Sequence, residues 1–260
     1  MSRVNMVINN KETLAKVKEI INLLTIKSKE SEYLPADFYG VIPSGTQVNT
    51  VTLEEGLLKI DFSKEFLNTD IEMERKMVES LVYSLTEIPE VKNILLFVEG
   101  NQLLELPYSK EKLPTLLNKE FGVNKIYDLE NIKNTTKTTV YYGSKTNELF
   151  YYIPVTYVSN NQNEKVEIII EKLKSSPIYE SNLISFLNAN AEITNYEIKE
   201  NEIKLSFNEF LLEGLDQSTI LEEVQYTIFL SLRDTYNIEQ VEFSVQKDEK
   251  NVNLVINALE

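Results

Sequence analysis

Asp61 and Glu65 lie four residues apart, just behind a run of alternating apolar residues. At that spacing two carboxylates could serve as a general acid and a general base. A hydrolase built on such a pair needs its acids about 5–9.5 Å apart in a cleft. Because the chain carries 41 Asp+Glu, pairs of this kind arise freely, and bonding of Asp61 or Ser63 to nearby backbone N–H groups is the favoured reading. Glu30–Glu32 and Asp216–Glu223 offer oxygens to calcium but lack EF-hand spacing, so they read as surface charge. Pro43-Ser44-Gly45-Thr46 carries hydroxyls that could contact a glycan or a peptide. Its proline fixes φ and its glycine permits unusual geometry, which makes it first of all a turn entering a strand. Tyrosine is abundant, at 14 residues, and Tyr141-Tyr142, Phe150-Tyr151-Tyr152 and Tyr157 crowd one region. Alternation puts Tyr151 on the face opposite Phe150 and Tyr152. Tyr226 and Leu230 stand one i,i+4 step apart beside the core stripe of a late helix. With Tyr151 they form a candidate contact surface for another domain, a subunit or a sugar, since tyrosine suits half-wet interfaces.

Composition removes most other chemistries. The chain has no His and no Cys, so Ser-His-Asp and Cys-His arrangements, disulfides and Cys-based zinc sites are all excluded. With 7 Gly there is little material for a Gly-rich phosphate loop, and no cofactor or metal is expected. The net charge of -15 opposes phosphate backbones and anionic membrane surfaces, which excludes nucleic acid and leaves a basic protein partner compatible. No apolar run approaches the ~20 residues of a membrane-spanning helix. Met1 to Lys11 lacks the charged and apolar regions of a secretion signal.

The elements that must hold these residues come as a repeat. Val48, Val51, Leu53, Leu58, Ile60 and Phe62 match Ile193, Tyr196, Ile198, Ile203, Leu205 and Phe207, each pair 145 positions apart. In both copies a two-residue turn, Glu55-Gly56 or Glu200-Asn201, interrupts the alternation, as in a β-hairpin. A helix follows each hairpin. Met73, Met77, Val78, Leu81, Val82, Leu85 and Ile88 mark the first; Ile220, Val224, Ile228, Phe229 and Leu232 mark the second. Thr69 with Glu72, and Thr219 with Glu222, are predicted capping boxes, and Pro89 is predicted to stop the first helix. Ile94, Leu96 and Val98 form a closing strand that matches Val241, Phe243 and Val245, now 147 positions apart. An earlier helix recurs as well, with Val17, Ile20, Ile21 and Leu24 matching Val166, Ile169, Ile170 and Leu173. The fold class is therefore α/β (α+β): two tandem copies of a small mixed sheet packed with helices.

The second copy opens with strands Thr139–Tyr142 and Leu149–Tyr157 around a Gly143-Ser144 turn, for which the first copy has no counterpart. Either the first domain is naturally shorter or, as we expect, an upstream strand is missing before Met1. Between the copies, Leu113-Pro114-Thr115 could start a short helix and Val123–Leu129 could be a strand or an extended crossing. The polar stretch NIKNTTK is the most linker-like. The expected domains are residues 1–130 and 139–260, joined by 131–138.

The segment Ile42 to Thr46, then Val48 to Val51, then Ile60-Asp61-Phe62-Ser63-Lys64-Glu65-Phe66 resembles the GerM domain, a family of sporulation and spore germination in Gram-positive bacteria. The pattern continues through Leu85-Thr86-Glu87-Ile88-Pro89-Glu90-Val91 and closes at Leu96 to Gly100. The second copy looks like a divergent repeat of the same domain. There Asn188 to Ala191 stands for the Pro-Ser-Gly-Thr turn, Ser206 for Asp61, and Tyr236-Asn237 for Pro89-Glu90. The resemblance implies modules similar to the ring-building units of sporulation channels. It also implies an extracytoplasmic lipoprotein anchored through an upstream segment, action by protein–protein contact, and no catalytic residues. Peptidoglycan binding through the Tyr-rich hairpin is the alternative.

Overall fold

The computed structural model describes residues 1–260 apart from 36–37, 147–148, 178–181, 213–218, 248–249 and 258–260. The chain divides into two compact units: Asn5–Val123, and Met1–Val4 with Asn124–Glu260. In the first unit, helix α1 (Thr13–Leu24) precedes the hairpin of β1 (Val48–Glu54) and β2 (Leu57–Phe62); α2 (Ile71–Leu85), β3 (Asn93–Val98) and β4 (Asn101–Gln102) follow. In the second, β5 (Ile126–Asp128), β6 (Thr136–Thr146) and β7 (Leu149–Ser159) precede α3 (Lys165–Leu173). The hairpin of β8 (Ile193–Ile198) and β9 (Glu202–Phe207) comes next, then α4 (Glu222–Tyr236), β10 (Gln240–Lys247) and β11 (Lys250–Asn257). The protein is thus mixed α/β, as expected, with four helices and three sheets among the described residues.

The repeat extends to backbone register. β1 pairs antiparallel with β2 and β2 parallel with β3, giving the order β1-β2-β3-β4; the second copy repeats it as β8-β9-β10-β11. Val48 faces Phe62 and Thr50 faces Asp61, with a register shift between Val48 and Thr50. In the second copy Ile193 faces Phe207 and Asn195 faces Ser206, with the shift between Ile193 and Asn195. A β-bulge at equivalent places in both copies is a position-specific device. Alternation on β2 and β9 buries every second residue, so Leu58, Ile60, Phe62 and Ile203, Leu205, Phe207 enter two separate cores. Each such side chain contributes roughly 1.5–3 kcal/mol. α2 crosses over between the parallel strands β2 and β3, and α4 between β9 and β10, as parallel pairing requires.

The helix starts differ from the predicted capping boxes. α2 opens at Ile71 behind Asp70 and α4 opens at Glu222 behind Leu221, and neither preceding side chain makes a capping bond. Acidic residues in the first turns, Glu72 and Glu74 or Glu222 and Glu223, complement the helix dipole instead. α2 ends at Leu85, where the Thr86 hydroxyl donates to the Val82 carbonyl at 2.8 Å. Pro89 lies beyond the helix, in the turn in which the Val91 N–H donates to Ile88 O at 2.9 Å. Leu113 to Thr115 starts no helix; the Leu113 N–H is tied to Leu104 O at 2.9 Å.

The division between units falls after Val123, ahead of the polar stretch expected to carry it. Ile126, Tyr127 and Asp128 pair parallel with Tyr157, Val158 and Ser159, and β6 already begins at Thr136. Met1–Val4 also belongs to the second unit, with the Arg3 N–H donating to Tyr152 O at 3.1 Å. β6 runs straight through Gly143-Ser144, where a turn was expected. Gly143 is needed for space: a Cβ there would lie 2.5 Å from the Phe150 ring and 2.7 Å from the Phe186 ring. The Gly143 N–H and carbonyl also exchange bonds with Ile184, at 3.0 and 2.8 Å.

Candidate interaction site

The best-marked motif folds into a hydrogen-bonded knot at one end of the first sheet. Pro43 to Thr46 is a tight turn in which the Thr46 N–H and hydroxyl both donate to Pro43 O, at 3.2 and 2.8 Å, with Gly45 at φ 85°. The Ser63 hydroxyl oxygen accepts from the Gln47 N–H at 3.0 Å, while the Ser63 N–H donates to Gln47 O at 2.9 Å. Asp61 accepts from the Gly100 N–H at 2.9 Å and from the Asn49 amide at 3.3 Å. Glu99 accepts from the Lys64 N–H at 3.0 Å. Beneath this layer Phe66 stacks on Phe62 with ring centroids 4.3 Å apart, and both are fully buried.

The second copy keeps the geometry and changes the letters. Asn208 stands for Ser63: its side-chain oxygen accepts from the Glu192 N–H at 3.1 Å, and its own N–H returns a bond to Glu192 O. Asn188 O accepts from the Ala191 N–H at 2.9 Å, reproducing the turn of Pro43 to Thr46. Ser206 shares a hydroxyl bond with Ser244 at 2.9 Å, where Asp61 instead reaches the β3–β4 turn. Asp61 is taken up by the Gly100 N–H and the Asn49 amide. Glu65 is held below its ordinary pKa by the Ser63 hydroxyl, its own backbone N–H and Lys64, the opposite of the upward shift a general acid needs. Glu74 was missed by sequence reading: it is fully buried, and its carboxylate accepts from the backbone N–H groups of Tyr108 and Ser109 at 2.6 and 2.8 Å.

The Tyr-rich hairpin is largely interior. Tyr141, Tyr142 and Tyr157 are core residues. The Tyr141 N–H donates to the Ser231 hydroxyl at 2.9 Å, tying β6 to α4. Tyr142 donates to Lys172 O at 2.9 Å and so accepts from the Tyr157 hydroxyl 2.8 Å away. Burial pushes both hydroxyls above the ordinary tyrosine range. Phe150 and Tyr152 share a face, at 5.2 Å between centroids, and Tyr152 reaches Tyr226 at 5.9 Å; Tyr151 is half-buried. Leu230, expected on a contact surface, is 7% exposed and belongs to the core. The reason is that α4 is covered on a second side by β6, which a one-stripe reading of the helix does not anticipate.

A more open feature lies on the second unit. α3 and the outermost strand β8 flank a groove of about 460 Å³ whose lining includes Glu167, Ile170, Glu171, Glu192, Ile193 and Tyr196. Ile170 is buried at its base and Glu167, Glu171 and Glu192 are exposed on its rim. Burial, then the Glu167 and Glu164 carboxylates, push the Tyr196 hydroxyl up, which marks the field there as negative. Among the described residues no group of acids could hold a metal ion.

Fold and motif together define a protein of two tandem α/β domains whose most recognisable residues hold the domains in shape. The chain belongs to the Germane family, described as sporulation and spore germination, which it matches over residues 2–104 and 139–250. It is 28% identical over 241 residues to spore germination protein GerM of Bacillus subtilis strain 168, a match covering 91% of this chain and 66% of that protein. The structure of the tandem GerMN domains of the sporulation protein GerM from Bacillus subtilis superimposes with a TM-score of 0.82 at 27% identity. That match covers 94% of this chain and 85% of the other. The protein is a GerM homologue of a family not known as enzymes. Among the described residues no helix is long and apolar enough to cross a membrane.

Proposed function

We propose that the chain is a non-enzymatic sporulation and germination protein that acts by protein–protein contact in an extracytoplasmic, membrane-associated assembly. One observation carries this reading: Thr46, Asp61 and Ser63 of the motif, and Asn208 in the second copy, are engaged in internal hydrogen bonds. A motif used this way preserves the shape of a domain, and shape is what a contact module supplies. The net charge of -15 favours a basic partner. The test is light scattering of the purified chain mixed in turn with the extracytoplasmic portions of sporulation membrane proteins. A concentration-dependent rise in mass with at least one of them is the expected result. Retention of the lone mass with every candidate, together with retention of the chain on purified sacculi, would replace this reading with wall binding.

A further inference from the structure

We propose that the groove between α3 and β8 takes an extended, lysine- or arginine-bearing segment of a partner protein as an added strand. This rests on the reading of the chain as a protein-contact module and names the surface and the chemistry of the segment it holds. β8 is the outer strand of the order β8-β9-β10-β11, bonded among the described residues to β9 and to no other strand of its sheet. An outer strand leaves a row of N–H and C=O groups available to an incoming chain. Charge and proline are the usual protections of such an edge; Ile193–Ile198 has no proline, and its one charge, Glu197, is paired with Lys199 at 3.3 Å. The adjoining groove supplies apolar contact from Ile170 and Ile193 and the ring of Tyr196.

The duplicated fold identifies the partner's charge. The first copy has the same helix and the same outer strand, with Lys18, Asn22 and Gln47 at the positions of Glu167, Glu171 and Glu192. Three rim positions that are basic or neutral in one copy are therefore acidic in the other, and one, Thr25 against Lys174, changes the opposite way. None of the three carboxylates has an ion-pair partner among the described residues; Glu167 is met by the Tyr196 hydroxyl at 3.5 Å. A second copy of the chain is a poor occupant, because two bodies of charge -15 repel. A basic segment is attracted, and its side chains alternate between the groove and solvent as strand geometry dictates.

The probe is an octapeptide alternating lysine and valine, compared with its glutamate-for-lysine counterpart and with a peptide of the same composition in separate lysine and valine blocks. Binding is read by anisotropy at low and high salt, and the location by amide hydrogen exchange. The alternating basic peptide should bind most tightly, protect amides of Thr194 to Ile198, and weaken in high salt. The variant E167K/E171K/E192K should lose about tenfold in affinity, while E54K/E55K/E209K, with the same change in net charge elsewhere, should lose far less. Equal binding by both triple variants, protection on another surface, or a rise in mass of the chain alone at the concentrations used would overturn the proposal. The triple variants are then mixed with whichever sporulation membrane protein raised the mass of the unaltered chain. If E167K/E171K/E192K still binds it fully, the groove is not the site although the contact reading survives. If no such protein was found but the peptide occupies β8, the groove stands and the contact reading fails.

Discussion

Replacing Glu74 with glutamine tests how an ionised side chain can be buried with profit in this fold. Glu74 sits in the first turn of α2, with no exposed surface, and each carboxylate oxygen accepts one backbone N–H from the Tyr108–Ser109 loop. Burial works to raise its pKa, but the two N–H bonds, the Ser109 hydroxyl and Lys110 outweigh it, so the folded pKa is lowered. The sign follows: stability from this group is present above the unfolded value, about pH 4.3, and is lost as pH falls through the folded pKa. Glutamine keeps one acceptor and turns an NH₂ toward the other backbone donor. Hydrogen bonds to charged groups are worth about 1.5–3 kcal/mol each, so E74Q should destabilise the first unit by about 2 kcal/mol at pH 7. Urea denaturation followed by exchange of the Tyr108 and Ser109 amides measures it directly. The difference from the unaltered chain should shrink as pH drops below about 4. A loss under about 0.5 kcal/mol, or a loss that stays constant down to pH 3, would refute this account of the loop.

Other perturbations separate packing from chain conformation. Ser231 is fully buried, accepts from the Tyr141 N–H and donates to Thr227 O at 2.6 Å, so S231A should cost about 1–3 kcal/mol in urea melts by stranding that N–H. Gly40→Ala and Gly45→Ala should differ in kind. A Cβ on Gly40 would lie 2.7 Å from Leu24 O, fixed backbone, whereas Gly45 faces open space and pays only for its φ of 85°. G45A should cost about 1 kcal/mol and G40A distinctly more, ranked by thermal denaturation. The raised pKa values of Tyr142 and Tyr157 predict stability that is full below about pH 10 and lost as pH climbs through the folded values. Spectrophotometric titration should show these two tyrosines ionising only together with unfolding of the second unit.

Much of the fold is legible in the residues because alternation and turn chemistry are local. Leu58, Ile60 and Phe62 alternate with half-buried neighbours, and the same positions recur in the second copy at constant spacing, down to the shared register shift. What escapes sequence reading depends on distant partners. Leu230 reads as a surface residue until β6 is laid against α4. Gly143 reads as a turn residue because a glycine chosen for space is indistinguishable in sequence from one chosen for φ; only the Phe150 and Phe186 rings decide it. β5 falls inside Val123–Leu129, the stretch read as a possible strand, whereas the Arg3 contact escapes because a single bridge carries no periodicity. The motif was legible as a motif, and backbone bonding by Asp61 or Ser63 was the favoured reading, but which groups they bond was not legible. Asp61 and Ser63 have the residue types of a site, and only their partners Gly100, Asn49 and Gln47 reveal that they hold the end of a sheet.

The two copies also differ in how they finish the same sheet. In the first copy the outer side of β3 is met by pieces: β4 pairs with Phe97 and Val98, and Leu117 exchanges bonds with Ile94 at 2.7 and 3.0 Å. In the second, β11 pairs with β10 along its whole length, from Gln240 facing Asn257 to Lys247 facing Lys250. A duplicated fold starts with equivalent edges, so each edge that is filled, shortened or recharged reflects a separate constraint on that copy. Ser63 and Asn208 kept one bond through a change of residue, which marks the knot as required in both. Glu167, Glu171 and Glu192 do the reverse: the backbone around them is kept while the charge is changed. Kept geometry with altered charge is what separate constraints on two copies of one fold produce, and the proposal for the groove of the second copy rests on that difference.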